Sequence, residues 1–483
     1  MIEHNLNWKG KAERMALGDE TTQIDATGDL ALGRLAEALA AISGADAWQA
    51  HARREDEAQL YLIGEKVEAR RNVVTERTRI AIHNSHASHN PEPENTEPVA
   101  GSAAITLLPE EVADSTRLAT RLREAVAMAA LTDNRPYDLP APPAGGYPAV
   151  EVSDPALAGD LGAVLDDLRS RMETEVARHP DVRISSAEFF ATRGQHAIRT
   201  SAGVRAAYPA TSLFVDFVLI ASDGAREAEF HGELSRRRVE DLALEETVEA
   251  YVRLARHTLD ATAPEAHRGP VILSGRAVAD LFNAPLVFER GPYPFHTSAQ
   301  AAFQGVSRFT AGQSITPEPA RGDKLSLWSD SARPFGNRAA PLDDEGIPAN
   351  TTQLIADGVF QRPWADARYA TYLGVPATGA FGNIRLGLGS RTLPQLRLMG
   401  SRPIYEIVAF SLMNPDLASG DFVAEIKLGY RHDERGSAPI KGGSVSGNLF
   451  AAFGDAYFSS ELFSDGAYDG PAAIRFGELT LGG

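Results

Sequence analysis

Cysteine is absent from all 483 residues, which rules out disulfides, thiolate nucleophiles and Cys-ligated zinc or iron–sulfur clusters. Lysine is scarce, at Lys9, Lys11, Lys66, Lys324, Lys427 and Lys441, so arginine carries nearly all the positive charge. That charge is outnumbered, 47 basic residues against 65 acids, and the net charge of -18 argues against nucleic acid and anionic membrane surfaces as partners. No apolar run approaches the ~20 residues of a membrane span. The opening MIEHNLNWKGKAERMALGDETTQ lacks the apolar core of a signal peptide, so the expectation is a cytoplasmic chain.

Familiar catalytic motifs are missing too. No histidine is followed by glutamate, so there is no His-Glu-x-x-His helix to hold a zinc ion. The nucleophile elbow Gly-x-Ser-x-Gly is absent; GGSVSG at Gly442–Gly447 has Ser446 where the second glycine belongs. There is no P-loop and no Gly-x-Gly-x-x-Gly after a strand.

What is present is a soluble-protein composition, 43% hydrophobic and 23% charged, on a chain long enough for two or three cores. Residues 1–26 are polar and aperiodic and read as a loose leader. A helix follows in GDLALGRLAEALAAISG, then strand-like pieces AWQAHARRE, AQLYLIGEKVEAR and NVVTERTRIAIH, a polar loop over 84–101, and one helix in LLPEEVADSTRLATRLREAVAMAAL. The Pro/Gly-rich DNRPYDLPAPPAGGYP is a linker, so 27–145 and 146–268 read as two α/β subdomains. Beyond Gly269 helical periodicity fades, short strands and turns such as Asp357-Gly358 follow, and 269–483 reads as a β-rich domain. The expected class is α+β: N-terminal helices on small, mainly antiparallel sheets, and a C-terminal barrel-like unit.

Three places could carry chemistry. His83, His86 and His89 in IHNSHASHN are spaced to share a metal on a helix, although a strand would send His83 and His86 to opposite faces. His231 and Glu233 lie on one strand face, either as an acid/base pair or as a surface pair. Asp343, Asp344 and Glu345 precede Gly346-Ile347-Pro348, as a metal cage or an ordered turn. The Arg-Gly-Asp at Arg321–Asp323 reads as a loop.

The stretch PLDDEGIPANTTQLIADGVFQRPWADARYATYLGVPATG resembles the core of the TldD/PmbA (TldE) family, of the peptidase U62 or "modulator of DNA gyrase" type. The matching pieces are Asp343 to Pro348, Asp357-Gly358, Tyr369 to Gly374 and Thr378-Gly379. SGDFVAEIKLGYRHDERGSAPIKGGSVSGNLFAAF, AAIRFGELTLGG and GPVILSGRAVADLF are similar to later and entry segments of the same domain. Upstream of Gly269 the likeness is looser.

The resemblance implies a cytoplasmic peptidase assembly. In it a zinc-bearing TldD-type subunit, with a His-Glu-x-x-x-His helix and a later cysteine, pairs with a TldE-type subunit lacking those ligands. Unfolded peptide is cleaved in the chamber between them. The zinc helix should follow GPVIL, where this chain reads SGRAVADLFNAPLVFERG, with no histidine and no glutamate before Glu289, and with His296 alone beyond it. No metal ligand carries over, so no cofactor is expected in this chain and zinc is expected in the partner. Asp343, Asp344 and Glu345 are then expected to order a turn, with Asp344, Glu345 and Gly346 as candidates for the edge of a peptide cleft. The partner expectation is a TldD-like subunit in a heterodimer, or a second copy in a homodimer. Two alternatives stay open: a stand-alone metal-dependent peptidase with its site moved to His83, His86 and His89, and a self-assembling peptide-binding protein.

Overall fold

The computed structural model describes residues 26–89, 98–283, 297–317, 319–400, 403–416 and 419–483. The expected leader, but for residue 26, and both Glu289 and His296 fall outside them.

The N-terminal half is organised on one antiparallel sheet of six strands: β1 (Ala47–Ile63), β2 (Lys66–His86), β3 (Val99–Leu107), β4 (Val182–Thr200), β5 (Arg205–Ser222) and β6 (Glu227–Arg236), in the order β3-β2-β1-β4-β5-β6. Small, mainly antiparallel sheets were expected; the sheet is antiparallel, and the segments on either side of the Pro/Gly-rich linker contribute three strands each to it. The three strand-like pieces after the first helix are in fact two long strands turning at Gly64, whose φ of 59° suits a residue without Cβ. Charged residues in β1 and β2 hide this from a hydropathy reading, because much of β2 is exposed and most of β1 only half-buried.

Alternation explains how the sheet is covered. Leu213, Val215, Phe217, Leu219 and Ala221 of β5 are all buried on one face. Helices Leu161–Val176 and Leu244–Asp260 lie there, burying Leu161, Leu165, Leu168 and Met172 from one and Leu244, Val248 and Val252 from the other. At the other end, helices Ala26–Ala40 and Ser115–Ala129 enclose Ile80, Ile82 and Leu107. The helix expected to run unbroken from Pro109 breaks at Asp114. Its carboxylate accepts the N–H groups of Thr116 and Arg117 and so caps a second helix.

In the C-terminal half, β7 (His267–Ser274) pairs in parallel with Ile404–Pro415 and antiparallel with Ala473–Gly482. Asp421–Asp433 pairs with Ile404–Pro415 and with Ser444–Asn448, and the latter pairs with Ala473–Gly482. These five strands close a barrel, which removes the free edges of the sheet. A second sheet, carrying Leu327–Asp330, Thr351–Ala356 and Asn383–Leu386, packs against it over a core that includes Leu273, Leu327, Ile355, Ile384, Tyr405 and Phe476. Asp357 and Gly358, at φ 47° and 77°, form the hairpin turn expected of them. The class is therefore α+β with a C-terminal barrel. Among the described residues no helix is long and apolar enough to cross a membrane.

Candidate functional site

The acidic turn folds back from the C-terminal half onto β1. Leu342 and Pro348 bridge its base, and Gly346 sits at φ 89° with Val204 Cγ2 only 2.6 Å from where a Cβ would stand. Asp343 holds the turn from inside: Oδ1 accepts from Glu345 N at 2.9 Å and Ile347 N at 2.8 Å, and Oδ2 accepts from Ala380 N at 2.9 Å. Burial nonetheless raises its proton affinity. The three adjacent acids thus divide their work. Asp344 is exposed, with its carbonyl accepting from His51 Nε2 at 2.7 Å and its carboxylate 3.6 Å from His51 Nδ1. Glu345 points inward and accepts from Ala367 N at 2.7 Å.

A cleft of about 470 Å³ opens beside the turn, lined by Asp343, Glu345, Asp366, Arg338, Trp364 and Tyr208 among others. Burial pushes the Glu345 carboxyl up to about 8, with repulsion from Asp366 adding to it. Asp366 caps helix Ala367–Leu373 through Tyr369 N, and burial raises it as well. Burial also lowers Arg338, to about 10, beside the Phe381 ring at 5.6 Å. The Trp364 Nε1–H is buried without a partner. The cleft therefore offers a carboxylic acid that is mostly protonated at neutral pH, one guanidinium and an indole donor, a set suited to holding main-chain polar groups.

The histidine trio is divided by strand alternation. His83 packs edge-on to Tyr137, which in turn packs edge-on to Tyr372 of the C-terminal half, and burial lowers its affinity for a proton. His86 and His89 instead meet Asp133. His231 and Glu233 do not pair with each other: His231 Nε2 is 2.5 Å from Asp216 Oδ2, and Glu233 lies 3.6 Å from Arg276. The Arg-Gly-Asp segment is no open loop. Arg321–Gly322 pairs in parallel with Asp455–Ala456, and Asp323 accepts from Phe458 N.

A second cavity, of about 510 Å³, is lined by His231, Glu233, Tyr251, Arg276, Asp280 and Lys427 among others. Helix Arg276–Asn283, directly after β7, supplies two of these. Arg276 donates to Asp280 Oδ1 at 2.8 Å and to Asp465 Oδ2 at 3.1 Å. Burial works against the guanidinium's charge, but Asp280 and Asp465 outweigh it and keep Arg276 firmly protonated. Arg338, Asp366 and the Arg276–Asp280 pair escaped the reading of the sequence; only the four-residue spacing of the last pair gave a local signal.

The fold and its clefts define a two-part α+β protein with an acidic turn docked between its halves. Residues 266–483, a little under half of the chain, match the PmbA/TldA metallopeptidase C-terminal domain. An uncharacterized protein of Methanocaldococcus jannaschii is 23% identical over 229 residues, 44% of this chain; the match spans 51% of that protein, about half its length. Among solved structures, TldE from Thermococcus kodakarensis superposes with a TM-score of 0.72 at 15% identity, covering 95% of this chain and 100% of its own. A candidate modulator of a DNA gyrase from Thermotoga maritima gives 0.76 at 14%, covering 94% and 100%. A similar protein from Bacteroides thetaiotaomicron gives 0.76 at 15%, covering 95% and 99%. At these identities the likeness speaks for a shared fold.

Proposed function

We propose that this chain is the non-catalytic, TldE-like subunit of a metallopeptidase assembly, completing a chamber and holding extended, unfolded peptide for a zinc-bearing TldD-like partner. One observation carries the reading. The helix that follows β7, where a zinc helix is expected, presents Arg276 and Asp280 and no imidazole. A guanidinium already lies against Asp280 and Asp465 there, so the charge of a bound cation is supplied by the chain itself. These residues do not fit a zinc ion, which takes imidazole, thiolate or carboxylate in an uncrowded tetrahedron. The overall likeness to TldE supports the same reading.

The cleft beside the acidic turn suits a peptide held by its backbone, with low sequence specificity. The chain's net charge of -18 favours peptides that are not strongly acidic. The experiment is hydrolysis of an unfolded casein substrate by the purified chain, alone and with a co-expressed zinc-type subunit, each with and without chelator. Cleavage is expected only from the pair. Chelator-sensitive cleavage by the chain alone would overturn the proposal.

A further inference from the structure

We propose that His86 Nε2, His89 Nδ1 and Asp133 Oδ1 form a site for a zinc-class divalent ion at the end of β2, separate from both clefts. The three ligand atoms lie within 4.8 Å of one another. Asp133 Oδ1 is 3.3 Å from His86 Nε2 and 2.6 Å from His89 Nδ1. Tetrahedral zinc, bonded at about 2.0–2.1 Å, places its ligand atoms roughly 3.3 Å apart. The first distance already matches, and the second needs an outward shift of less than ~1 Å by His89, just past the end of the strand.

The surroundings are those of a ligand set rather than a chance cluster. The other carboxylate oxygen, Asp133 Oδ2, is held by Ser88 Oγ at 2.7 Å and by His89 N at 2.8 Å, which leaves Oδ1 facing both rings. Such outer hydrogen bonds orient a ligating carboxylate. His86 is fixed on the strand against Gly101, where a Cβ would come within 3.0 Å of its ring and 1.9 Å of Ala129 O. Its Nδ1 is buried with no partner, so Nε2 makes its hydrogen-bonding contact, and that contact is to Asp133. Asp133 and His89 are 26% and 52% exposed, which leaves room for water at a fourth position. Two imidazoles and one carboxylate select zinc, cobalt, nickel or copper over magnesium or calcium.

The site ties together two pieces of chain that bear on how the halves meet. Asp133 is followed by Asn134, which accepts from Arg368 at 2.5 Å, and by Arg135, whose carbonyl accepts from Tyr372 OH at 2.6 Å. An ion at Asp133 would fasten this segment to β2 and so brace its contact with helix Ala367–Leu373. The role is a structural clasp, and it stands whether or not the chain has a peptidase partner.

The test is titration of the full, chelator-treated chain with zinc sulfate by calorimetry at neutral pH. One ion per chain is expected, bound at least tenfold more weakly by His89→Gln and by Asp133→Asn. His83→Gln should bind as the unmodified chain does. On the unmodified chain, zinc should shield His86 and His89, and not His83, from diethyl pyrocarbonate, read by mass spectrometry. That readout does not depend on any variant folding. No binding, no shielding, or unchanged affinity in a folded His86→Gln/His89→Gln double variant would each overturn the proposal.

Discussion

Glu345 Oε2 accepts the N–H of Ala367 at 2.7 Å, joining the acidic turn to the first turn of helix Ala367–Leu373. The bond brings a half-buried carboxyl within reach of Asp366, the cap of that helix, and desolvation there, with Asp366 adding to it, governs its titration.

Glu345 should make stability depend on pH between about 4.3, its unfolded value, and about 8 in the folded chain. In that window the folded state holds more protons than the unfolded state, so stability falls as pH rises, by on the order of a few kcal/mol in total. Asp343 and Asp366, also raised by burial, act in the same direction. Glu345→Gln keeps the shape and removes one proton from the balance. Urea unfolding at pH 5 and pH 8 should show a smaller loss for the variant; identical losses would dismiss Glu345 as the source.

Glu406 should behave in the opposite sense. Burial opposes its charge, but bonds from His432, Arg397 and Ser274 outweigh burial and hold it down at about 2. Its contribution is present above the unfolded value of about 4.3 and is lost as pH falls towards 2. Glu406→Gln strands its partners in the barrel wall and should cost about 3–5 kcal/mol at neutral pH. Denaturant melts of the variant that match the parent would refute the network's importance.

Gly346→Ala meets two obstacles at once, a φ of 89° and Val204 Cγ2 at 2.6 Å. A loss of about 1–3 kcal/mol is expected, together with loosening of the turn. Hydrogen exchange at Ile347 N, bonded to Asp343, would report that loosening, and unaltered protection would argue against it.

Arg276→Ala should destabilise by about 1–3 kcal/mol, because Asp280 loses its cation while Asp465 keeps Arg236. Added zinc should stabilise the variant no more than it stabilises the parent chain. A zinc-induced gain in melting temperature larger in the variant than in the parent would reveal a metal site on this helix.

Much of the architecture was legible in the sequence because it follows from local periodicity. The glycine-punctuated β pattern after Gly269 became the barrel, and Asp357-Gly358 became a hairpin turn because positive φ suits that pair. The ordering role expected of the acids was also local: Asp343 caps N–H groups two and four residues ahead. The strands were read too short, since the charged residues of β1 are mostly half-buried and those of β2 mostly exposed, which breaks the alternation.

By itself the sequence determined which chemistries were unavailable, thiolates above all, and which segments would turn, bend or alternate. Tertiary structure alone decided which of three adjacent acids is exposed and which is buried, because burial of Glu345 depends on a helix 22 positions away. It also decided that His86 and His89 meet an aspartate 44 positions beyond His89 while His83 turns to Tyr137. Strand alternation separates neighbours in sequence, and packing brings distant residues within hydrogen-bonding range. Proton affinity and ligand geometry depend on that final packing, so no spacing rule could have supplied them.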